Sequence, residues 1–83
     1  MKKYLVDVYL PAARKHYDVF LPSGKPIGEA TKLLVKIAES LSPGEYKGTS
    51  DSVLLNAESG EAYNCNLTVY DAGIRNSTKL ILL

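Results

Sequence analysis

The sequence contains few of the residues from which catalytic and metal sites are built. It has a single histidine, His16, a single cysteine, Cys65, and no tryptophan. A metal site needs three or four clustered ligands, and a thiol nucleophile needs a base beside it. No glycine-rich phosphate loop is present either, since each Ser-Gly pair reads as a simple turn. We therefore predict no enzymatic activity, no metal and no cofactor, with Cys65 a small buried side chain and His16 solvated.

Charge of one sign, paired cysteines and long apolar runs are also missing. Ten basic and nine acidic residues are interspersed and give a net charge of +1, which argues against nucleic acid because phosphate binding needs a concentrated basic face. One cysteine forbids an internal disulfide, whereas small secreted domains usually carry several. No run approaches the roughly 18 apolar residues of a membrane span, and Asp7 and Pro11 interrupt the signal-like start. A cytoplasmic protein without membrane insertion is expected.

What the sequence does contain is enough apolar material for one small core. Of its 83 residues, 46% are hydrophobic and 23% are charged, a balance typical of globular domains. No linker, repeat or low-complexity segment divides the chain. A single domain spanning 1–83 is predicted.

Apolar periodicity in the first half predicts a hairpin followed by a helix. Residues 4–10 and 16–21 alternate in polarity like strands, with a short connection between them. A turn over 22–26 leads into apolar residues spaced by three and four up to Leu41, the pattern of an amphipathic helix. Ser42-Pro43-Gly44 ends that helix.

The second half predicts shorter elements. Residues 44–50 read as a loop, 51–57 as a third strand, 62–65 as a short fourth strand and 78–83 as an apolar last strand. A single helical turn precedes the last strand.

Four residues define that turn. Thr68 and Asp71 are spaced so that each side chain can bond the backbone N–H of the other. Gly73 then allows a left-handed end to the turn, after which Ile74 re-enters the core.

This order of elements predicts an α+β fold of the β-grasp type. A lone amphipathic helix buries its stripe against one face of one sheet, here a mixed sheet of order 2-1-5-3-4 with the first and last strands central and parallel. The residues expected to form the core are Tyr4, Val6, Val8, Val19, Leu21, Leu34, Ile37, Val53, Leu55, Ile74, Leu80 and Leu82.

Several apolar side chains are expected on the face of the sheet that the helix leaves uncovered. A contiguous exposed apolar patch marks a partner site, although single exposed leucines are also common on surfaces without function. A second copy of the chain could cover the same face as a symmetric homodimer. The candidate partner-binding residues are Leu5, Phe20, Leu54, Ile81 and Leu83, of which Leu5, Leu54, Ile81 and Leu83 are expected to be near neighbours.

The terminal segment resembles that of ubiquitin. Val69-x-Asp71-Ala72-Gly73-Ile74, followed by a turn and an apolar strand, is similar to ubiquitin's last helical turn and final strand. Pro22-Ser23…Ile27-Gly28-Glu29-Ala30 resembles its entry into the main helix. With its length and a basic residue before the last leucines, the chain is most similar to the small bacterial YukD/EsaB proteins. That resemblance implies a ubiquitin-like fold and a cytosolic accessory or regulatory role in type VII secretion, with protein partners in that machinery.

The resemblance to ubiquitin does not extend to the Gly-Gly tail that conjugation requires. The sequence reaches Leu83 within or just past the last strand, so we expect its carboxylate to lie against the sheet, out of reach of an activating enzyme. The expected function is a non-conjugating protein-interaction module. The alternative is a ubiquitin-like carrier or modifier of the sulfur-transfer type, which would be adenylated at Leu83.

Overall fold

The computed structural model describes residues 2–49 and 51–83. Position 50, where the predicted loop ends, and Met1 lie outside the described residues. The elements, in chain order, are strand β1 (Lys3–Leu10), strand β2 (Lys15–Pro22), helix α1 (Ile27–Leu41), strand β3 (Leu54–Asn56) and strand β4 (Lys79–Leu82).

Alternating apolar residues form the first hairpin as the sequence predicts. β1 and β2 pair antiparallel along their whole length. Every second residue of β1, beginning at Tyr4, is buried on one face, because successive side chains of a strand point to opposite faces. On β2, Leu21 is buried, whereas Val19 is half-buried and packs against the core.

The four strands of the sheet lie in the order β2-β1-β4-β3. β4 runs parallel to β1, with Val8 opposite Leu80, and antiparallel to β3, with Leu54 opposite Leu82. The first and last strands are therefore central and parallel, as predicted. The described residues contain no fifth strand beyond β3, so that part of the predicted order is wrong.

The segment over 62–65 does not form the predicted strand. A single bridge joins Ala62 to Leu55 of β3, and the chain turns soon afterwards. Within the segment, the N–H of Tyr63 donates to the carbonyl of Leu54 in β3 at 3.2 Å, and beyond that point the backbone turns toward the start of helix α1.

Two carbonyls at the end of this segment and just after it cap helix α1. The carbonyl of Cys65 accepts a hydrogen bond from the N–H of Gly28 at 3.2 Å, and the carbonyl of Leu67 accepts one from the N–H of Ile27 at 2.8 Å. The first N–H groups of a helix have no partner within it, and Pro26 at the N-cap supplies no side-chain bond. After the single bridge at Ala62, the chain therefore closes the helix start and does not continue the sheet.

β3 lies one residue out of the predicted frame. Leu54 is buried, with 3% of its surface exposed, whereas Val53 is 39% exposed and Leu55 is half-buried. Three consecutive apolar residues fit either frame, and a shift by one residue exchanges the two faces of a strand. Pairing of Leu54 with Leu82 decides the frame. The prediction that Val53 and Leu55 are core residues and that Leu54 is exposed is wrong.

Helix α1 has the bounds that its apolar period predicts. Ile37, however, is only half-buried, and the prediction of a core position for it is wrong. It shares a flank of the helix with Leu33 and Leu41, four residues away on either side, and both are exposed. The buried residues of the helix are Ile27, Ala30, Thr31, Leu34 and Ala38.

The turn before β4 forms largely as predicted. The N–H of Asp71 donates to Oγ1 of Thr68 at 3.0 Å, Gly73 has a φ of 85°, and Ile74 is fully buried. The reciprocal bond from Thr68 to the Asp71 carboxylate is not formed within the described residues. The predicted core residues that are buried are Tyr4, Val6, Val8, Leu21, Leu34, Ile74, Leu80 and Leu82.

Candidate docking face

One row of side chains crosses all four strands on the face of the sheet opposite α1. Tyr9 of β1 lies between His16 and Ile81 in the register, and Ile81 lies opposite Leu55 of β3. Tyr9, Ile81 and Leu55 are half-buried, and Leu83, the next residue on this face, is 51% exposed. We call Tyr9, Leu55, Ile81 and Leu83 the apolar patch.

The next row along the strands is charged. Asp7 of β1 lies opposite Asp18 of β2 on one side and Lys79 of β4 on the other. We call these three residues the charged row. His16 connects the two rows, since its Nδ1 lies 3.1 Å from Oδ1 of Asp7 and its ring centroid lies 4.6 Å from that of Tyr9.

Leu5 and Phe20 form a separate apolar pair beyond the charged row. They lie opposite each other in β1 and β2 and are 40% and 58% exposed. Leu5 is four residues from Tyr9, about 13 Å along a strand that rises about 3.3 Å per residue. The prediction that Leu5 neighbours Ile81 is wrong, because β4 is aligned with β1 so that Ile81 lies beside Tyr9.

The candidate residues thus fall into three places. Leu5 and Phe20 form the separate pair, Ile81 and Leu83 belong to the apolar patch, and Leu54 lies in the core. Leu55 was missed as a member of the patch, since only the frame of β3 reveals its position. A partner-binding role for the four surface residues remains a prediction.

Hydrogen bonds hold the main chain of Leu83 in the sheet. Its N–H donates to the carbonyl of Val53 at 3.0 Å, and its main-chain oxygen accepts a bond from the phenol of Tyr46 at 3.2 Å. Tyr46 is only 5% exposed, although it lies in a segment predicted as a polar loop. The expectation that Leu83 lies against the sheet agrees with these contacts.

The residues weighed for chemistry lie apart. His16 is exposed on the edge strand β2. Cys65 follows β3 at the other side of the sheet and is also exposed, so the prediction of a buried thiol is wrong: its carbonyl caps the helix while its side chain faces solvent. Across 2–49 and 51–83, three or more metal-ligating side chains come together nowhere. The described residues contain no helix that could span a membrane, since α1 is too short and too polar to do so.

Comparison with known proteins gives a clear result at the level of fold. No family model and no curated protein sequence matches the chain. The ubiquitin-like domain of EccD5 from Mycobacterium xenopi is 17% identical and aligns over 100% of this chain and 94% of that one, with a TM-score of 0.75. The ubiquitin-like domain of the type VII secretion protein EccD1 from Mycobacterium tuberculosis is 16% identical over 100% and 99%, with a TM-score of 0.69.

A larger assembly contains the same fold. One chain of the MycP5-free ESX-5 inner membrane complex is 15% identical and aligns with 100% of this chain and 21% of its own length, with a TM-score of 0.82. Identities this low establish shape and leave activity open. The chain has a ubiquitin-like α+β fold, in which the described residues form a four-stranded mixed sheet and one helix.

Proposed function

We propose that the chain is a non-conjugating ubiquitin-like protein-interaction module of the YukD/EsaB type, a cytosolic accessory or regulatory component of a type VII secretion system. The observation that carries this proposal is the apolar patch on the uncovered face of the sheet. Solved domains with this fold come from EccD proteins and from the ESX-5 inner membrane complex, which supports the choice of machinery.

The apolar patch has the properties of a docking surface. Tyr9 and Ile81 lie on the two central strands, which are paired on both sides, so their positions are fixed before a partner arrives. Little ordering entropy is then lost on binding. The charged row and His16 give the patch a polar border, as in interfaces whose apolar centre is surrounded by a polar rim.

The main-chain hydrogen bonds of Leu83 favour a partner-binding role over a carrier role, in which Leu83 would be adenylated. Adenylation at Leu83 would require its oxygen to leave Tyr46 and enter the site of an activating enzyme. The sulfur-transfer alternative predicts a mass increase when the chain is incubated with such an enzyme and ATP. We expect none.

The test is co-purification with the reconstituted inner-membrane complex of a type VII secretion system from the source organism. Ile81→Asp and Leu83→Asp place a charge in the proposed contact, where an unpaired charge is costly to bury. We expect each to lower recovery of the complex at least about tenfold, equivalent to about 1.4 kcal/mol.

Leu41→Asp is the matched control, because Leu41 is 54% exposed, close to the 51% of Leu83, but lies on the helix. It should bind like the original sequence. Circular dichroism and the thermal midpoint of each variant confirm folding. Equal recovery of the complex by Ile81→Asp, Leu83→Asp and the original sequence would contradict the proposal.

A further inference from the structure

The charged row contains an electrostatic conflict. The backbone N–H of Asp7 donates to the main-chain carbonyl of Thr78, just before β4, at 3.0 Å. The main-chain groups of Asp7 therefore point toward β4 and away from β2. Asp7 and Asp18 therefore form a non-hydrogen-bonded antiparallel pair, the kind in which facing side chains are closest. Like charges placed directly opposite in a sheet are destabilising.

Neighbouring side chains of the same chain resolve only part of this conflict. His16 contacts Asp7, and Lys79 occupies the next position of the row. Over the described ranges, Lys15 forms an ion pair with Glu45, and the His16 ring, which is charged only when protonated, contacts Asp7. Asp18, whose side chain is exposed, takes part in neither.

We propose that the partner of this face presents a lysine or arginine to the Asp7–Asp18 pair and an apolar side chain to the apolar patch. This rests on the proposed function, since it names the chemistry of the segment that docks there. A cation between the two carboxylates removes a repulsion already present in the free chain. An acidic segment would add to that repulsion and be rejected.

The spacing of the two subsites restricts the partner further. Asp7 and Tyr9 are two residues apart on one strand, about 6.6 Å at about 3.3 Å per residue. The Cβ atoms of residues i and i+3 or i+4 of a helix lie about 5–6 Å apart, and side chains at i and i+2 of a strand match the distance directly. The partner segment therefore carries its basic and apolar residues three or four apart on a helix, or two apart on a strand.

A randomised twelve-residue peptide library, displayed and selected on the purified full chain, tests this inference. Parallel selections use Asp7→Asn/Asp18→Asn, Ile81→Asp and the control Asp71→Asn, which removes an exposed carboxylate from the turn before β4. We expect the original sequence and Asp71→Asn to enrich lysine or arginine beside apolar residues. The double variant should lose the basic enrichment and keep the apolar one.

One selected basic-apolar peptide then gives the magnitude. Its affinity should fall about fivefold with Asp18→Asn, the effect of an exposed ion pair near the upper end of its usual range. The thermal midpoint of free Asp18→Asn should equal or exceed that of the original sequence, because the repulsion has been removed. An affinity loss accompanied by a lower midpoint would indicate structural damage and overturn the inference.

The remaining outcomes separate this inference from the proposed function. Peptides that require Ile81 but show no basic enrichment overturn the inference and leave the docking face intact. If no selected peptide responds to Ile81→Asp, the docking face itself is wrong and both fall. If sedimentation shows a dimer that Ile81→Asp dissociates, the occupant of this face is a second copy of the chain. That result would overturn the inference of a basic partner.

Discussion

Gly48 decides how closely the loop after α1 can approach the helix. A Cβ added at this position would overlap Cγ1 of Val35 and lie 3.4 Å from its Cβ. The Gly48 N–H also donates to Oε2 of Glu39 at 3.1 Å, which fastens the loop to the helix. Glycine is needed here for close approach between backbone and side chain.

Gly48→Ala should therefore destabilise the fold. The β-branched Val35 is stiff about χ1 and cannot easily move aside, so we expect a loss of about 1–3 kcal/mol, as for overpacked sites. Urea denaturation measures it. Gly24→Ala is the control, since nothing lies within 4 Å of a Cβ there. Equal stability of the two variants would show that the loop does not rest on Val35.

The frame of strand β3 decides which of its residues belong to the core and which to the candidate docking face. Leu54 is buried opposite Leu82, and Leu55 lies opposite Ile81 on the other face. Leu54→Ala should cost about 2–5 kcal/mol, the range for buried leucines. Leu55→Ala should cost less, about 1 kcal/mol, because this side chain is only half-buried, and under the proposed function it should weaken binding of the partner that Ile81→Asp loses.

Denaturant midpoints measure the loss of stability in each variant, and the co-purification assay measures the loss of binding separately. The opposite result, with Leu55→Ala the more destabilising, would restore the frame expected from the sequence. Because the two positions are adjacent and chemically identical, the comparison isolates the direction in which each side chain points.

Elements whose apolar residues recur at a regular spacing were predictable from the sequence, and elements without such a spacing were not. β1 alternates over eight residues, and α1 repeats its apolar spacing over four turns, so each has only one arrangement that buries its apolar residues. The run 53–55 has no period of its own. Segment 62–65 has a strand-like composition, but the Cys65 carbonyl at its end caps α1, and that hydrogen bond depends on a distant part of the chain.

The same limit applies to the docking face. Alternation alone indicated that Leu5, Phe20, Ile81 and Leu83 leave the core, and all four do so at least in part. Which of them lie together depends on how β4 is aligned with β1. Turn contacts such as the N–H of Ser77 bonded to the carbonyl of Leu5 at 2.8 Å fix that alignment, and no local pattern encodes it.

Over the whole molecule, the core and the candidate docking residues lie on opposite faces of one sheet. The helix face holds the core, so substitutions on the uncovered face should have little effect on folding. Tyr17 of the edge strand β2 connects the sheet to the helix, because its phenol donates to the carbonyl of Leu34 at 3.1 Å. Burial, with a smaller contribution from Tyr46, raises the pKa of Tyr17 above the ordinary tyrosine value.

This raised pKa makes the stability of the whole fold sensitive to alkaline pH. The unfolded chain releases the Tyr17 proton near pH 10, while the folded chain retains it. The contribution of Tyr17 is therefore fully present below about pH 10 and is lost as the pH rises toward the folded pKa. Tyr17→Phe should cost about 1 kcal/mol at neutral pH, from the lost hydrogen bond, and should lose less stability between pH 9 and 11. Urea unfolding across that range measures both effects, and parallel curves for the two proteins would mean that Tyr17 titrates alike in the folded and unfolded chain.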